Sequence, residues 1–147
     1  MKKIISLLLC AIILVNAFGV CSFAANETDS TLIPTPYFNN TSSIEVTFLI
    51  NSSGLGTVAT SYVGTSGITT HADISIKLEK KFLFFWTDVD IGYPDDTYST
   101  TINGFCGMHE KDFQLSSTGT YRAVVTVTVY GSNGAPDVIE SKPEAKY

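Results

Sequence analysis

Apolar and polar residues alternate with a period of two along most of the chain beyond residue 43. In residues 72–78, alanine, isoleucine and leucine at every second position alternate with aspartate, serine and lysine. In residues 121–129, tyrosine, alanine and valine share one face, and the other face carries arginine and threonine. Because successive side chains of a β-strand point to opposite faces, this pattern predicts strands buried on one side. Residues 25–147 carry no helical stripe in their sequence, so we expect an all-β protein.

Seven or eight segments carry the strand pattern, and turn-forming residues separate them. The predicted strands are residues 44–50, 58–62, 72–78, 82–89, 98–102, 113–115, 121–129 and 137–142. We predict a hairpin turn at Glu79-Lys80-Lys81, an acidic loop at residues 88–96 and a glycine-containing loop at residues 103–111. Pro143 lacks a donor N–H, so the last strand should lie at a sheet edge or end there.

Short strands with turns about every eight to twelve residues are typical of a two-layer β-sandwich. The segment Ser117-Thr118-Gly119-Thr120-Tyr121-Arg122-Ala123 resembles the tyrosine corner that leads into strand F of immunoglobulin-like domains. Ala123 stands where antibody domains carry their second cysteine, so the disulfide is absent. We therefore expect an immunoglobulin-like antiparallel β-sandwich of seven to eight strands, a likeness that implies architecture and no function.

The N-terminal end has the pattern of an export signal. Lys2-Lys3 precedes an apolar run over residues 4–15, and Ser22-Phe23-Ala24 places small residues before a cut at Ala25. A segment of this kind is removed during export, so it is neither a membrane anchor nor part of the fold. We therefore expect a secreted, extracellular protein.

The cut and the start of the strand pattern divide the chain into three parts. We expect residues 1–24 to be the signal peptide, residues 25–43 an extended N-terminal arm and residues 44–147 the β-sandwich domain. Cys21 offers the alternative of a lipid anchor, but Val20 is bulkier than the residue that a lipobox places before its cysteine.

The net charge of the exported chain limits the classes of partner that it can bind. Nine basic residues minus Lys2 and Lys3 leaves seven, against fourteen acidic residues, which gives a net charge of −7. Such a domain repels phosphate backbones, so we expect no nucleic-acid partner. Its composition lacks the basic face of a protein that binds anionic membranes, and we expect no membrane span in the exported chain. The signal carries off Cys10 and Cys21, so Cys106 has no partner for an intramolecular disulfide.

A second resemblance covers most of the exported chain. It is carried by Ser52-Ser53-Gly54, Ile76-x-Leu78-Glu79-Lys80, Trp86-Thr87, Gly119-Thr120-Tyr121-Arg122 and Val127-Thr128-Val129-Tyr130, followed by Glu140. In the spacing of these motifs the chain resembles a group of small secreted proteins of Firmicutes that have a signal peptide and one β-domain. The resemblance implies a bacterial, extracellular protein. It carries over no catalytic residue, because that group has no established function.

Five consecutive large apolar residues occupy positions 82–86. On a strand, Phe82, Phe84 and Trp86 would share one face, and Leu83 and Phe85 the other. We expect one set to lie in the core and the other to be covered by the N-terminal arm or exposed as a binding surface. The candidate binding residues are Phe82, Phe84, Phe85 and Trp86, and the partner would be an extracellular protein, a glycan or a second copy of the chain.

Four carboxylates lie in the predicted acidic loop, at Asp88, Asp90, Asp95 and Asp96. Ca²⁺ prefers six to eight oxygen ligands, often from short acidic loops. The spacing does not fit an EF-hand, because a tyrosine and a serine stand where glycine and glutamate are needed. These aspartates are therefore candidates for a non-standard calcium loop, with a solvated turn as the alternative. We expect no other cofactor.

Cys106-Gly107-Met108-His109 is the other place where chemistry is conceivable. A Cys-x-x-His segment supplies half a zinc site, and a cysteine beside a histidine base is a possible nucleophile. His71 is the only other histidine, and the sequence identifies no third orienting group. We therefore expect a turn in which Cys106 packs inward and His109 faces solvent.

Three classes of function remain. We favour a non-catalytic extracellular interaction domain of unknown ligand. The second class is a carbohydrate-binding module that uses the aromatic strand together with polar neighbours such as Asp88. The third is a small hydrolase or metal-dependent enzyme. We disfavour an enzyme because the histidines and the cysteine lie in predicted loops, while the strands carry mainly threonine, serine and valine.

Overall fold

A computed structural model describes residues 31–32 and 38–147 of the 147-residue chain. The strands are β1 (Thr31–Leu32), β2 (Thr41–Ile50), β3 (Leu55–Gly64), β4 (Thr69–Phe82), β5 (Phe85–Asp88), β6 (Tyr98–Asn103), β7 (Cys106–Gln114), β8 (Thr120–Gly131), β9 (Asp137–Ser141) and β10 (Glu144–Lys146). A 3₁₀ turn, Pro94–Asp96, lies between β5 and β6. The predicted signal peptide and most of the predicted arm lie outside the described residues.

Two antiparallel sheets form the sandwich. The first has the order β1-β2-β3-β7, and the second has the order β10-β8-β4-β5, with β6 also paired to β4 and β9 to β8. Strand β4 is the centre of the second sheet. On one side, residues 69–80 of β4 pair with β8. On the other side, residues 71–76 pair with β6 and residues 79–82 pair with β5. The predicted all-β sandwich is therefore confirmed.

The core lies between the inner faces of the two sheets, as the alternating pattern requires. In β8, buried and half-buried side chains alternate from Tyr121 to Tyr130. Each large aliphatic side chain contributes about 1.5–3 kcal/mol on burial. The buried apolar residues are Ile44, Val46, Phe48, Val58, Tyr62, Ala72, Ile74, Ile76, Leu78, Phe113, Leu115, Tyr121, Ala123, Val125, Val127, Val129 and Ile139.

Tyr121 makes the hydrogen bond expected of a tyrosine corner. Its ring is buried at the start of β8, and its Oη donates to the carbonyl oxygen of Ser117 at 2.6 Å. The bond holds the turn before β8 against the core, which fixes where this strand enters the second sheet. Lys80 Nζ donates to Ser117 Oγ at 2.7 Å, so β4 is tied to the same turn.

A buried carboxylate fastens the start of β2. The backbone N–H groups of Asn39 and Asn40 donate to the two oxygens of Asp137, at 2.9 and 2.7 Å. Thr69 Oγ1 donates to the carbonyl oxygen of Asn40. This arrangement, the Asp137 clamp, joins the beginnings of β2, β4 and β9. The strand predicted to begin at residue 44 begins at Thr41 in the structure.

Two predictions about the later strands were tested by the structure. The loop predicted at residues 103–111 is wrong, since β7 begins at Cys106 and pairs with β3 along its whole length. The sequence hides this strand because its inward side chains include a histidine and a lysine instead of aliphatic residues. The break at Pro143 is confirmed: β9 ends at Ser141, and the chain pairs with β8 again as β10.

Candidate functional site

Strands β4 and β5 form a hairpin that ends in four exposed apolar side chains. Cross-strand pairs are Lys81 with Trp86 and Phe82 with Phe85, so Leu83 and Phe84 make the turn. The exposed fractions of Phe82, Leu83, Phe84 and Phe85 are 60%, 69%, 94% and 56%. We call these four residues the aromatic tip. Solvent-exposed apolar residues are ordinary when scattered singly, but four in succession form a contiguous patch.

This geometry corrects the interpretation of the aromatic run. The predicted turn at Glu79-Lys80-Lys81 is wrong, because β4 continues through Phe82. The expectation that one set of the run belongs to the core is also wrong, since none of the four tip residues is buried. The run crosses the end of a hairpin instead of following one strand, so its residues are not divided between a buried face and an outer face.

The backbone at the turn has an unusual conformation for the residue it holds. Leu83 has φ of +54°. Positive φ at the first central position of a two-residue hairpin loop is usually supplied by glycine, because a Cβ is disfavoured there by about 1–2 kcal/mol. The sequence therefore keeps a large apolar side chain at a position where the backbone favours glycine.

Trp86 lies at the base of the aromatic tip, where two cationic side chains lie close to its ring. The Arg122 guanidinium carbon is 4.3 Å from the centroid of the Trp86 ring, and Lys81 Nζ is 5.4 Å from the ring centroid. Arg122 also forms an ion pair with Glu79 on the adjacent strand. Cations over an indole face are attracted by its electron-rich surface. The sequence analysis selected Trp86 but not these two cations. Arg122 is distant from Trp86 in the chain, and Lys81 was assigned to a turn.

The four candidate calcium ligands do not converge. Asp88 ends β5, Asp90 Oδ1 accepts the Gly92 N–H at 2.8 Å, and Asp95 and Asp96 belong to the 3₁₀ turn with positive φ. Within residues 31–32 and 38–147, no group of three or more histidine, cysteine, aspartate or glutamate side chains is placed to hold a metal ion. The geometry therefore gives the calcium hypothesis no support.

Cys106 and His109 point to opposite sides of β7. Cys106 is exposed on the outer face, whereas His109 is half-buried and its ring stacks on Tyr98 with centroids 5.6 Å apart. His109 Nε2 lies 2.9 Å from Tyr98 Oη. The expectation of an inward cysteine and a solvent-facing histidine is wrong, because a strand with period two places residues three apart on opposite faces. These two residues therefore form neither a shared metal site nor a nucleophile–base pair.

A second aromatic cluster, which sequence reasoning did not select, lies between the acidic loop and β7. Lys111 Nζ is 5.3 Å from the ring centre of Tyr93 and 4.8 Å from that of Tyr98. A hydrogen bond with Tyr93 raises the pKa of Lys111 above its ordinary value. Tyr93 and Lys111 border a shallow pocket of about 300 Å³ that also has Asp90, Asp112 and Gln114 in its wall.

Comparisons with known proteins add no relative: no family model, no curated protein and no solved structure matches the chain. Across the part of the chain that the structure describes, there is no helix with the length and apolar character needed to cross a bilayer.

Proposed function

We propose that the chain is a secreted, non-catalytic interaction domain with an immunoglobulin-like fold, and that it binds its partner through the aromatic tip. The observation that carries this proposal is the exposure of Phe82, Leu83, Phe84 and Phe85 together at the end of one hairpin. Large apolar side chains in contact with water are unfavourable, and contiguous exposed patches typically mark interaction sites.

The immunoglobulin-like part of the proposal is supported by topology. If β2, β3, β4, β7, β8 and β9 are taken as strands A, B, C, E, F and G, the two sheets have the orders A-B-E and G-F-C. These neighbours agree with the pairings of immunoglobulin-type sandwiches. The tyrosine corner of Tyr121 falls at the start of the strand that corresponds to F, as in those domains.

Export is supported by the sequence of residues 1–24, which has a basic start, an apolar stretch and small residues before the cut. The resemblance to small secreted proteins of Firmicutes adds a bacterial source to the proposal. The mass of the protein recovered from culture medium tests both export and cleavage. We expect a chain that begins at or near Ala25, and an intact chain confined to the cytosol would contradict export.

The stability of the fold does not depend on the side chains of the aromatic tip. Its four side chains contact solvent more than they contact the core, and the Trp86–Arg122–Glu79 group closes the hairpin beneath them. We expect Leu83→Ser/Phe84→Ser to change the free energy of unfolding by less than about 1 kcal/mol, as surface substitutions typically do.

This double variant is the test of the proposed function. Its matched control is Met108→Ser/Val138→Ser, which removes two apolar side chains of similar exposure, 69% and 64%, from other strands. Each protein is melted and then assayed for self-association, for glycan binding and for association with phospholipid vesicles. We expect the tip variant alone to lose binding in one of these assays. A tip variant that matches the wild type in every assay would contradict the proposed function.

A carbohydrate-binding module remains the second candidate, on a different observation. The pocket beside Tyr93 combines an aromatic ring with the carboxylates of Asp90 and Asp112 and the amide of Gln114. Sugar sites commonly place such polar groups around an aromatic ring. A glycan array probed with the wild type and with Tyr93→Ala tests it, and equal signals from the two proteins would exclude this pocket as a sugar site.

A further inference from the structure

We infer that the partner of the aromatic tip is the surface of a phospholipid bilayer, into which the tip inserts as far as the headgroup region. This inference rests on the proposed function, because it takes the tip to be the binding element. It adds the identity of the partner and the orientation in which the domain meets it.

The first support is the order of side chains along the hairpin. The turn residues Leu83 and Phe84 come first, and the Phe82–Phe85 pair lies one step below them. The next two pairs are Lys81 with Trp86 and Lys80 with Thr87, and the last pair is Glu79 with Asp88. The hairpin therefore passes from apolar residues through a tryptophan and lysines to carboxylates.

This order matches the polarity of a membrane surface. Acyl chains accept apolar side chains, the interface favours tryptophan, and lysine extends its ammonium group to phosphates while its methylenes stay in apolar surroundings. Carboxylates are repelled by phosphates, and Glu79 and Asp88 lie farthest from the tip. Because Lys81 and Trp86 occupy the same cross-strand pair, both would reach the interface at one depth.

The length of the apolar part also fits. Strand residues rise by about 3.3 Å each, so the turn and the Phe82–Phe85 pair together reach roughly 5–7 Å beyond Lys81 and Trp86. Interfacial segments bury their apolar side chains about 5–10 Å into the boundary between headgroups and acyl chains. Deeper insertion would place charged residues and unpaired hairpin edges in hydrocarbon, where backbone groups must be satisfied internally.

The distribution of charge orients the domain. The exported chain is acidic overall, and its composition gives no reason to expect a membrane partner. In the fold, however, Lys81 and Arg122 both lie close to Trp86 at the base of the aromatic tip, with Glu79 paired to Arg122. The exposed ammonium group of Lys81 beside the tip thus favours contact with anionic headgroups at this end.

A second copy of the chain fits the tip less well. A large aromatic side chain buries about 150–250 Å² when it is completely covered. Four side chains, already partly covered, therefore offer less than the roughly 800 Å² per partner of a stable protein–protein interface. A bilayer requires no complementary surface of that size, because lipid rearranges around a protruding tip.

The experiment uses Trp86 as the reporter, since it is the only tryptophan of the chain. Purified protein is mixed with vesicles of phosphatidylcholine alone or of equal parts phosphatidylcholine and phosphatidylglycerol. We expect the emission of Trp86 to shift to shorter wavelength and to be quenched by lipids brominated near the headgroup, more strongly with phosphatidylglycerol. The partition coefficient of Leu83→Ser/Phe84→Ser should fall by more than about tenfold, because most of the inserted apolar surface is gone.

The controls separate this inference from the proposed function. Met108→Ser/Val138→Ser should partition as the wild type does, and Lys81→Gln should weaken only the binding to vesicles that contain phosphatidylglycerol. Vesicle binding that the tip variant retains, or wild-type protein that ignores both kinds of vesicle, would overturn the bilayer inference. If tip-dependent self-association or glycan binding is then found, the proposed function stands with another partner. If no assay depends on the tip, both fail.

Discussion

The middle and the C-terminal end of strand β4 both carry large apolar residues, but only those in the middle are buried. Ile74, Ile76 and Leu78 are completely buried against the first sheet, whereas Phe82, on the same strand, is mostly exposed. The first sheet covers the middle of β4 but leaves the hairpin with β5 uncovered, since residues 82–85 are all exposed. Apolar character therefore produces burial only where another layer is present to receive it.

The largest expected effect is the difference in stability between mutations in these two parts of β4. Ile76→Ala should lower the free energy of unfolding by about 2–5 kcal/mol, because it leaves a cavity between the sheets. Phe82→Ala removes a larger side chain from the same strand and should cost less than about 1 kcal/mol. Urea denaturation of both variants measures the difference. Equal losses would mean that the tip contributes to the core, and the comparison would fail.

A smaller effect is expected at Tyr62 on the buried side. Its Oη donates to the carbonyl oxygens of Ile102 and Gly104, at 3.1 and 2.7 Å. Tyr62→Phe leaves these acceptors without their donor, so we expect a loss of about 1–3 kcal/mol in the free energy of unfolding. Thermal melting at neutral pH measures it. A variant as stable as the wild type would show that the hydroxyl does not secure the turn between β6 and β7.

The same residue gives the fold a pH dependence. Burial, with a lesser contribution from the charge of Cys106, raises the pKa of Tyr62 above its ordinary value of 10.0. A raised pKa in the folded state favours the neutral phenol, so its contribution to stability is complete below about pH 10 and is lost as the pH rises further. The wild type should therefore lose stability more steeply than Tyr62→Phe above pH 10. Lys111 contributes in the same direction, and it is present in both proteins.

At the turn, a substitution should stabilise the protein. Leu83→Gly removes the Cβ that disfavours positive φ, although glycine also adds freedom to the unfolded chain. The net gain in the free energy of unfolding should lie between zero and about 1 kcal/mol, and vesicle binding should weaken because an apolar side chain is lost. Destabilisation by more than about 1 kcal/mol would show that Leu83 makes contacts needed by the fold.

The smallest effect is expected at Cys106. Its side chain is exposed on the outer face of an edge strand, so Cys106→Ser should change the free energy of unfolding by less than about 0.5 kcal/mol. In the native wild type, a thiol reagent should titrate this cysteine completely without denaturant. Slow reaction that accelerates only on unfolding would place the thiol inside the fold.

The sandwich could be predicted because alternation at positions such as Ile74 and Val127 records burial directly. Strand β7 could not, because His109 and Lys111 pack on aromatic rings and leave no aliphatic alternation in the sequence. The aromatic run was located by its composition, and exposure of one set of its residues was an open alternative, but the exposure of all four tip residues was not predictable. Periodicity does not report where the opposing sheet ends, and no glycine or asparagine marks the turn at Leu83.

The Asp137 clamp has a consequence for the timing of folding. The backbone amides of Asn39 and Asn40 donate hydrogen bonds to a carboxylate that lies 98 and 97 residues later in the chain. A polypeptide is synthesised from its N-terminal end, so the clamp on β2 cannot form until nearly the whole domain has been made. Long-range closure of this kind slows folding and makes it a late, concerted event. This delay is compatible with the export proposed above, because a chain without its clamp is easier to thread through a narrow channel.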